Sequence, residues 1–125
     1  MGGSEWNGGV LAGNGLIYAI PYESSAVLII DPEAMTADTS SIAGVGEQYG
    51  WIGGALAANG KVVGIPYSSD AVLVVDPATN TADTTTLTAT STGIGKYRGG
   101  VLAPNGLVYA IPRNAESVLV IDVGC

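Results

Sequence analysis

Three segments of the chain repeat one pattern: WNGGVLAGNGLIYAIPYESSAVLIIDPEAMTADTSSI from Trp6 to Ile42, WIGGALAANGKVVGIPYSSDAVLVVDPATNTADTTTL from Trp51 to Leu87, and YRGGVLAPNGLVYAIPRNAESVLVIDV from Tyr97 to Val123. The period is 45 residues and then 46. Repetition at this period indicates that one supersecondary unit, unable to bury its apolar faces alone, stacks against copies of itself. The sequence therefore predicts one domain of 125 residues, divided into repeats 6–50, 51–96 and 97–125.

Each repeat carries the turn signals of a small antiparallel sheet. An Asn-Gly pair separates the first two apolar runs, and both residues accept the positive φ of a tight hairpin. A proline follows the second run, and an Asp follows the third. The predicted strands are residues 8–12, 16–20, 26–30 and 37–42, then 53–57, 61–65, 71–75 and 82–87, then 99–103, 107–111 and 117–121.

Polarity rises along each repeat. The first predicted strand is rich in Gly and Ala, the second and third are apolar without alternation, and the fourth is rich in Thr and Ser. A non-alternating apolar strand is buried on both faces. The gradient is typical of a propeller blade whose first strand lies near the axis and whose last strand meets water. We predict an all-β chain of about three β-propeller blades of four antiparallel strands, the last blade lacking its fourth strand, and no helix.

Two segments resemble a known repeat family. The run GGVLAPNGLVY from Gly99 to Tyr109 and the run AVLVVDPATNT from Ala71 to Thr81 are similar to the YVTN-type β-propeller repeat of surface-layer and related proteins. That repeat has a G-V-A-x-x-P-D-G-x-x-Y-V segment and a V-x-V-I-D-x-x-T-N-T segment. The resemblance covers all three repeats and implies blade topology. Propeller lyases of similar repeat type use histidine as acid or base, and this chain has none.

Three blades do not close a propeller, which needs roughly four to eight. An open chain would expose the apolar sides of its first and last blades, so we expect the ring to be completed by oligomerisation. Two copies joined head to tail give six blades in a two-fold homodimer, whereas three copies give nine. We expect Val118, in the third strand of the last blade, to be buried at the subunit seam. The alternative is that the chain is an excised fragment of a longer surface-protein propeller.

Composition excludes several classes of partner. Hydrophobic residues make up 47% of the chain, and the formal net charge is -7. The scarcity of Lys and Arg argues against binding to a nucleic acid or an anionic membrane. The longest apolar runs have five residues, far fewer than a membrane-spanning helix needs. No signal peptide is evident at the start, so the compartment stays unassigned, with the cytoplasm as the default. The single cysteine, Cys125, permits no intrachain disulfide.

One face of the predicted disc gathers candidate ligand-binding residues. Because strands alternate in direction, the Asn-Gly and Asp-Pro turns lie on one face, here called the turn face. The loops between second and third strands, and the entrances to the blades, lie on the other, here called the loop face. The candidate ligand-binding residues on the loop face are Trp6, Trp51, Tyr97, Tyr22, Tyr67, Arg113 and Arg98. Rigid aromatic rings beside adaptable polar loops suit a carbohydrate or a peptide.

Several of these candidates also have a structural interpretation. A Trp at a blade entrance commonly packs between adjacent blades, which applies to Trp6 and Trp51. Arg113 replaces the tyrosine of the first two repeats, and a salt bridge across the subunit seam would explain it equally. The recurring Asp31, Asp76 and Asp122 fall in different blades, so we interpret them as turn residues and expect no metal site.

The sequence predicts no enzyme. The chain has no histidine, and no Ser, Thr or Tyr has an evident base beside it. We expect a non-enzymatic module that needs no cofactor, assembles with itself and serves as a binding or scaffold unit. The alternative from another class is a hydrolase or lyase that uses carboxylates at the mouth of the central channel.

Overall fold

The computed structural model describes residues 5–45, 49–88 and 95–123. Within these ranges the chain is all-β. Its strands are β1 (Trp6–Leu11), β2 (Ile17–Pro21), β3 (Leu28–Asp31), β4 (Thr36–Asp38), β5 (Trp51–Leu56), β6 (Val62–Pro66), β7 (Leu73–Asp76), β8 (Thr81–Asp83), β9 (Tyr97–Leu102), β10 (Val108–Pro112) and β11 (Leu119–Ile121). None of the described residues forms a helix long and apolar enough to cross a membrane.

The strands form three antiparallel sheets, each in chain order. The first sheet is β1-β2-β3-β4, the second is β5-β6-β7-β8, and the third pairs β9 with β10 and β10 with β11. Each sheet is one blade, so the predicted fold class of propeller blades is confirmed. Because neighbouring strands are antiparallel, the hairpin turns lie at one end of each blade and the β2–β3, β6–β7 and β10–β11 loops lie at the other.

The first strand of each blade starts earlier than predicted. It begins at the aromatic residue, not at the Gly-Gly pair, since Trp6 pairs with Pro21 and Trp51 with Pro66 across an irregularity in the register. The irregularity gives the entrance of the blade a bend. The aromatic side chain at that entrance is thereby held beside the loop that follows the second strand.

The fourth strand is shorter than predicted because an Asp interrupts it. β4 ends at Asp38 and β8 at Asp83, and each Asp carboxylate accepts hydrogen bonds from the residues two and three positions later. Such side-chain bonds offer the backbone an alternative to the ladder. After this interruption the chain pairs again with the segment just before the third strand, through single bridges between Ala26 and Ala43 and between Ala71 and Thr88.

Two apolar cores lie between the blades. The first core joins blade 1 to blade 2, and the second joins blade 2 to blade 3. The first contains Val10, Ala12, Tyr18, Ile20, Val27, Ile29, Ile42, Trp51, Val62, Leu73 and Val75. The second contains Ala55, Ala57, Val63, Ile65, Val72, Tyr97, Val108, Ala110, Leu119 and Ile121. The middle blade therefore contributes to both cores, as the non-alternating apolar strands predicted.

The innermost strands touch through glycine backbone. A Cβ on Gly8 would lie 2.9 Å from Cα of Gly53, and a Cβ on Gly53 would lie 3.1 Å from Cα of Gly99. Both Gly8 and Gly53 have φ near +80°, with values of 81° and 73°. A side chain at either position would press on backbone, which explains the first glycine of the Gly-Gly pair in repeats 1 and 2.

Val118 differs from the expectation in the single chain. It lies just before β11, and 48% of it is exposed. Its equivalent in the middle blade, Val72, is buried in the second core. The difference arises because blade 3 has no blade against this side within the chain.

We predict that Gly53→Ala destabilises the protein by about 2 to 4 kcal/mol, since the methyl group meets backbone and the residue has positive φ. The control is Gly15→Ala, because Gly15 has a φ of 87° but open space around its missing Cβ. It should lose only the backbone contribution of about 1 to 2 kcal/mol. Urea unfolding followed by circular dichroism measures both, and equal losses would contradict the close approach.

Candidate functional site

The loop face is built by a recurring hydrogen-bond arrangement. In blade 1 the amides of Tyr22, Glu23 and Ser24 all donate to the carbonyl oxygen of Glu5, at 2.9 to 3.1 Å. The same arrangement recurs in the other blades, where the acceptors are the carbonyl oxygens of Gly50 and Lys96. The residue after each Ile-Pro is thus anchored beside the entrance of its own blade.

Hydrogen bonds also link each loop to the next blade. The amide of Gly50 donates to the carbonyl oxygen of Tyr22 at 3.0 Å, and the amide of Lys96 donates to that of Tyr67 at 2.8 Å. These bonds set the spacing between successive loops. Residues from three different blades are consequently held side by side.

A cluster of aromatic rings results. The ring centroids of Tyr22 and Tyr67 are 5.5 Å apart in an edge-to-face arrangement at 66°. Tyr49 also contacts Tyr22, with its ring centroid 5.2 Å from that of Tyr22 at 47°. The guanidinium carbon of Arg113 lies 5.6 Å from the centre of the Tyr67 ring, a cation–π distance. We call Tyr22, Tyr49, Tyr67 and Arg113 the tyrosine cluster.

Tyr49 was missed by the sequence analysis. It lies in the link between blades, where the equivalent residue of the next link is Gly95, so the repeat gave no recurring aromatic position. Tyr49 has a φ of 56° and Gly95 a φ of 67°, so both adopt the left-handed conformation. A Cβ on Gly95 would lie 2.7 Å from a terminal nitrogen of Arg113. Glycine at that position makes room for the guanidinium over Tyr67.

The hydroxyl of Tyr22 is uncharged at neutral pH. Burial raises its pKa above the ordinary value of 10.0, and the neighbouring Tyr67 hydroxyl raises it further. Tyr49 and Glu23 act in the same direction. Tyr22 therefore presents a hydroxyl that can both donate and accept a hydrogen bond.

The structure separates the other candidate residues from this cluster. Trp51 and Tyr97 are completely buried between blades, so neither ring is open to a ligand in this arrangement. Trp6 is half-buried on the side of blade 1 that faces away from blade 2. Its indole nitrogen donates to the carbonyl oxygen of Ala26. Trp51 makes the equivalent bond to Ala71. Arg98 is exposed in β9. Trp51 thus packs between two blades, whereas Trp6 has no second blade against it within the chain, and the loop residues Tyr22, Tyr67 and Arg113 lie together.

A buried cation lies between blades 2 and 3. The Lys96 side chain is almost completely buried, and its ammonium donates to the carbonyl oxygen of Ser68 at 3.2 Å and lies 3.5 Å from a carboxylate oxygen of Asp70. Ser68 and Tyr97, which lie beside Lys96 in space and in sequence respectively, each have a buried hydroxyl oxygen that forms no hydrogen bond with the described part of the chain. The replacement of Trp by Tyr at position 97 removes the indole donor, which in the other blades bonds to the carbonyl oxygen two residues before the third strand.

Carboxylates line a cavity away from the loop face. A cavity of about 340 Å³ lies between blades 2 and 3, near the fourth strand of blade 2. It is lined by Lys61, Val74, Asp83, Thr86, Leu87, Asp122 and Val123. Another, of about 400 Å³, lies on the turn face around Asn14, Asn59 and Asp76. In the described parts of the chain, no three His, Cys, Asp or Glu side chains come together as a candidate metal site.

The carboxyl of Asp83 is poorly suited to act as an acid. The hydroxyl of Thr86 and the amide of Thr85 hold its pKa at about 2, below the ordinary 3.8. A glycosidase acid needs a raised pKa, so Asp83 could serve only as an ionised base or nucleophile. In blade 1, the hydroxyl of Ser41 and the amide of Ser40 likewise hold the pKa of Asp38 at about 2.

Comparison with known proteins supports the fold. No protein-family model and no curated protein sequence matches the chain. Among solved structures, it is similar to an auxiliary nutrient binding protein from Bacteroides ovatus, with a TM-score of 0.72 and 16% identity over 99% of this chain and 30% of that one. Kuenenia stuttgartiensis hydrazine synthase gives a TM-score of 0.71 and 16% identity, over 99% of this chain and 34% of that one.

A third similar structure is a catalytically inactive virginiamycin B lyase from Staphylococcus aureus with quinupristin. Its TM-score is 0.77 at 6% identity, over 98% of this chain and 40% of that one. The chain thus spans less than half the length of these three proteins. At such low identity the likeness shows the β-propeller fold alone.

The lowered pKa values of Asp38 and Asp83 predict a pH dependence of stability. Each folded-state pKa lies below the ordinary 3.8, so the stabilisation is complete above about pH 4 and is lost as pH falls toward 2. We expect the difference in urea midpoint between the wild type and Asp83→Asn to shrink over this window. A difference that stays constant from pH 6 to pH 2 would contradict the assigned hydrogen bonds.

Proposed function

We propose that the chain is a non-enzymatic β-propeller module that assembles head to tail with a second copy into a closed six-bladed ring and serves as a binding unit. The observation that carries the proposal is an asymmetry of burial. Blade 1 meets blade 2, and blade 2 meets blade 3, at two inner seams. Positions that are buried at these seams are open on the sides of blades 1 and 3 that have no neighbour in the chain. In the ring, these two open sides would meet at an outer seam. Here the side of a blade that meets the next blade is its leading face, and the opposite side is its trailing face.

The leading face of blade 3 is apolar and open. Val101, Ile111, Val118 and Val120 are exposed by 60%, 50%, 48% and 49%. Their equivalents in blade 1 are Val10, Ile20, Val27 and Ile29, and all four are buried against blade 2. A contiguous apolar surface of this kind is unusual on a monomer and favours a protein partner.

The trailing face of blade 1 is the complementary surface. Trp6, Ile17, Leu28 and Ile30 are only half-buried. Their equivalents Trp51, Val62, Leu73 and Val75 in blade 2 are completely buried. A second copy placed with its blade 1 against blade 3 would repeat at the outer seam the side-chain types that pack at the inner seams.

The backbone and the turns support the same placement. Open space lies where a Cβ on Gly99 would be, whereas Gly8 and Gly53 each meet the glycine of the following blade. The Tyr18 hydroxyl donates to the side chain of Asn80 across the first seam at 2.8 Å. The residues equivalent to this pair at the outer seam are Tyr109 and Met35. Met35 is 88% exposed and would contact the Tyr109 ring through its thioether in place of the hydrogen bond.

A carboxylate-based hydrolase is the second candidate function. The cavity shared by Asp83 and Asp122 favours it. The depressed pKa of Asp83 and the lack of histidine in the chain speak against acid–base catalysis there. We therefore place binding, not catalysis, first.

Light scattering coupled to size-exclusion chromatography tests the ring. The wild type should have twice the 12.5 kDa mass of one chain. Val118→Asp puts a charge against an apolar sheet, which costs several kcal/mol, so it should weaken the dimer by roughly 100-fold or more. The variant should elute as a folded monomer.

Two control variants distinguish the seam from general damage. Ala78→Asp adds a charge at an exposed turn position and should leave the dimer intact. Val72→Asp, at the equivalent position of the middle blade, should abolish folding, because Val72 is buried within one chain. A wild-type mass of 12.5 kDa, or a Val118→Asp dimer with unchanged melting temperature, would contradict the proposal.

A further inference from the structure

We propose that the tyrosine cluster binds a carboxylate-bearing pyranose sugar. The inference rests on the proposed binding function and specifies its ligand. It does not require the ring, because Tyr22, Tyr49, Tyr67 and Arg113 all belong to one chain.

The loop backbone is already engaged. The amides of Tyr67, Ser68 and Ser69 donate to the carbonyl oxygen of Gly50, and those of Arg113 and Asn114 donate to that of Lys96. The carbonyl oxygens of Tyr22 and Tyr67 accept bonds from the next blade. A peptide bound in extended form relies on main-chain hydrogen bonds, and these loops have few left to offer. Side chains must provide the recognition, which favours a carbohydrate over a peptide.

The ring geometry also restricts the ligand. The ring centroid of Tyr22 lies 5.2 Å from that of Tyr49 and 5.5 Å from that of Tyr67. The interplanar angles are 47° and 66°. A planar ligand sandwiched between two rings needs roughly 7 Å, twice the contact distance between carbon atoms. Neither the Tyr22–Tyr49 pair nor the Tyr22–Tyr67 pair therefore leaves a slot for a nucleobase. A saturated sugar ring can lie across its outer surface, with its C–H face on an aromatic ring and its hydroxyls at the tyrosine hydroxyls.

Arg113 provides a charge for an acidic group. It is exposed, and among the described residues no carboxylate lies within ion-pair distance of it. Its place over Tyr67 orders the guanidinium while its edge remains available to donate two parallel hydrogen bonds. A sugar carboxylate is the acceptor that matches a planar guanidinium and also carries the C–H face that the tyrosines need.

The experiment compares matched sugars. The methyl glycosides of glucuronic and galacturonic acid are titrated against the full chain, with the corresponding glucosides and galactosides as neutral counterparts. Binding is followed by the NMR signals of the Tyr49 amide and the Arg113 side chain. We expect one of the acidic glycosides to bind about tenfold more tightly than its neutral counterpart, because of the charge-assisted bonds to Arg113.

Two variants assign the contacts. Tyr49→Gly removes a ring at a left-handed position that glycine tolerates, as Gly95 does in the next link. It should weaken binding of the acidic and the neutral sugar alike, by about three- to tenfold. Arg113→Gln should remove the preference for the acidic sugar and leave binding of the neutral one unchanged. Tyr109→Phe, which loses a tyrosine hydroxyl that bonds to Asn105 at the opposite end of blade 3, should bind like the wild type.

The titrations and the light scattering test sugar binding and assembly separately. The absence of shifts with all four glycosides at tens of millimolar would overturn the inference, as would binding that survives both Tyr49→Gly and Arg113→Gln. Light scattering on the same samples reports the oligomeric state. A failed ring with intact sugar binding would overturn only the assembly, and an intact ring without sugar binding would overturn only the ligand.

Discussion

A blade that is apolar on both sides must be covered by a neighbouring blade, and the rest of this structure depends on that constraint. Blade 2 satisfies it within the chain, where Val62 and Val63 on opposite sides of β6 are both completely buried. Blades 1 and 3 satisfy it on one side only. The burial of large aliphatic side chains is the dominant stabilising contribution, and on the uncovered sides of blades 1 and 3 that contribution is not yet made.

The sequence repeat predicted the blades because the need to cover both sides of each sheet is visible in its residue pattern. Apolar runs without alternation indicated sheets covered on both sides, and the Asn-Gly pairs indicated the first hairpins. The length of the fourth strand could not be read in the same way. Its Thr and Ser residues are compatible with a strand, but the carboxylates of Asp38 and Asp83 draw the following amides away from the ladder. Competition between side chain and backbone is local geometry, which composition does not show.

The candidate site was predictable only in part. Tyr22, Tyr67 and Arg113 occupy one recurring position, and stacking of the blades places them side by side. Tyr49 lies in a link whose sequence does not repeat, and its role depends on a left-handed backbone that the sequence does not signal. Trp51 shows the opposite case, since its recurring position and its burial both reflect packing between blades.

Chemical cross-linking across the outer seam tests the account most directly. Met35→Cys and Tyr109→Cys are introduced together in a Cys125→Ser background and treated with a short bis-maleimide. The equivalent pair at the inner seam, Asn80 and Tyr18, is in hydrogen-bond contact. The account predicts one covalent product with the mass of two chains, because the second link closes the ring. A ladder of longer products, or chains that remain unlinked, would contradict it.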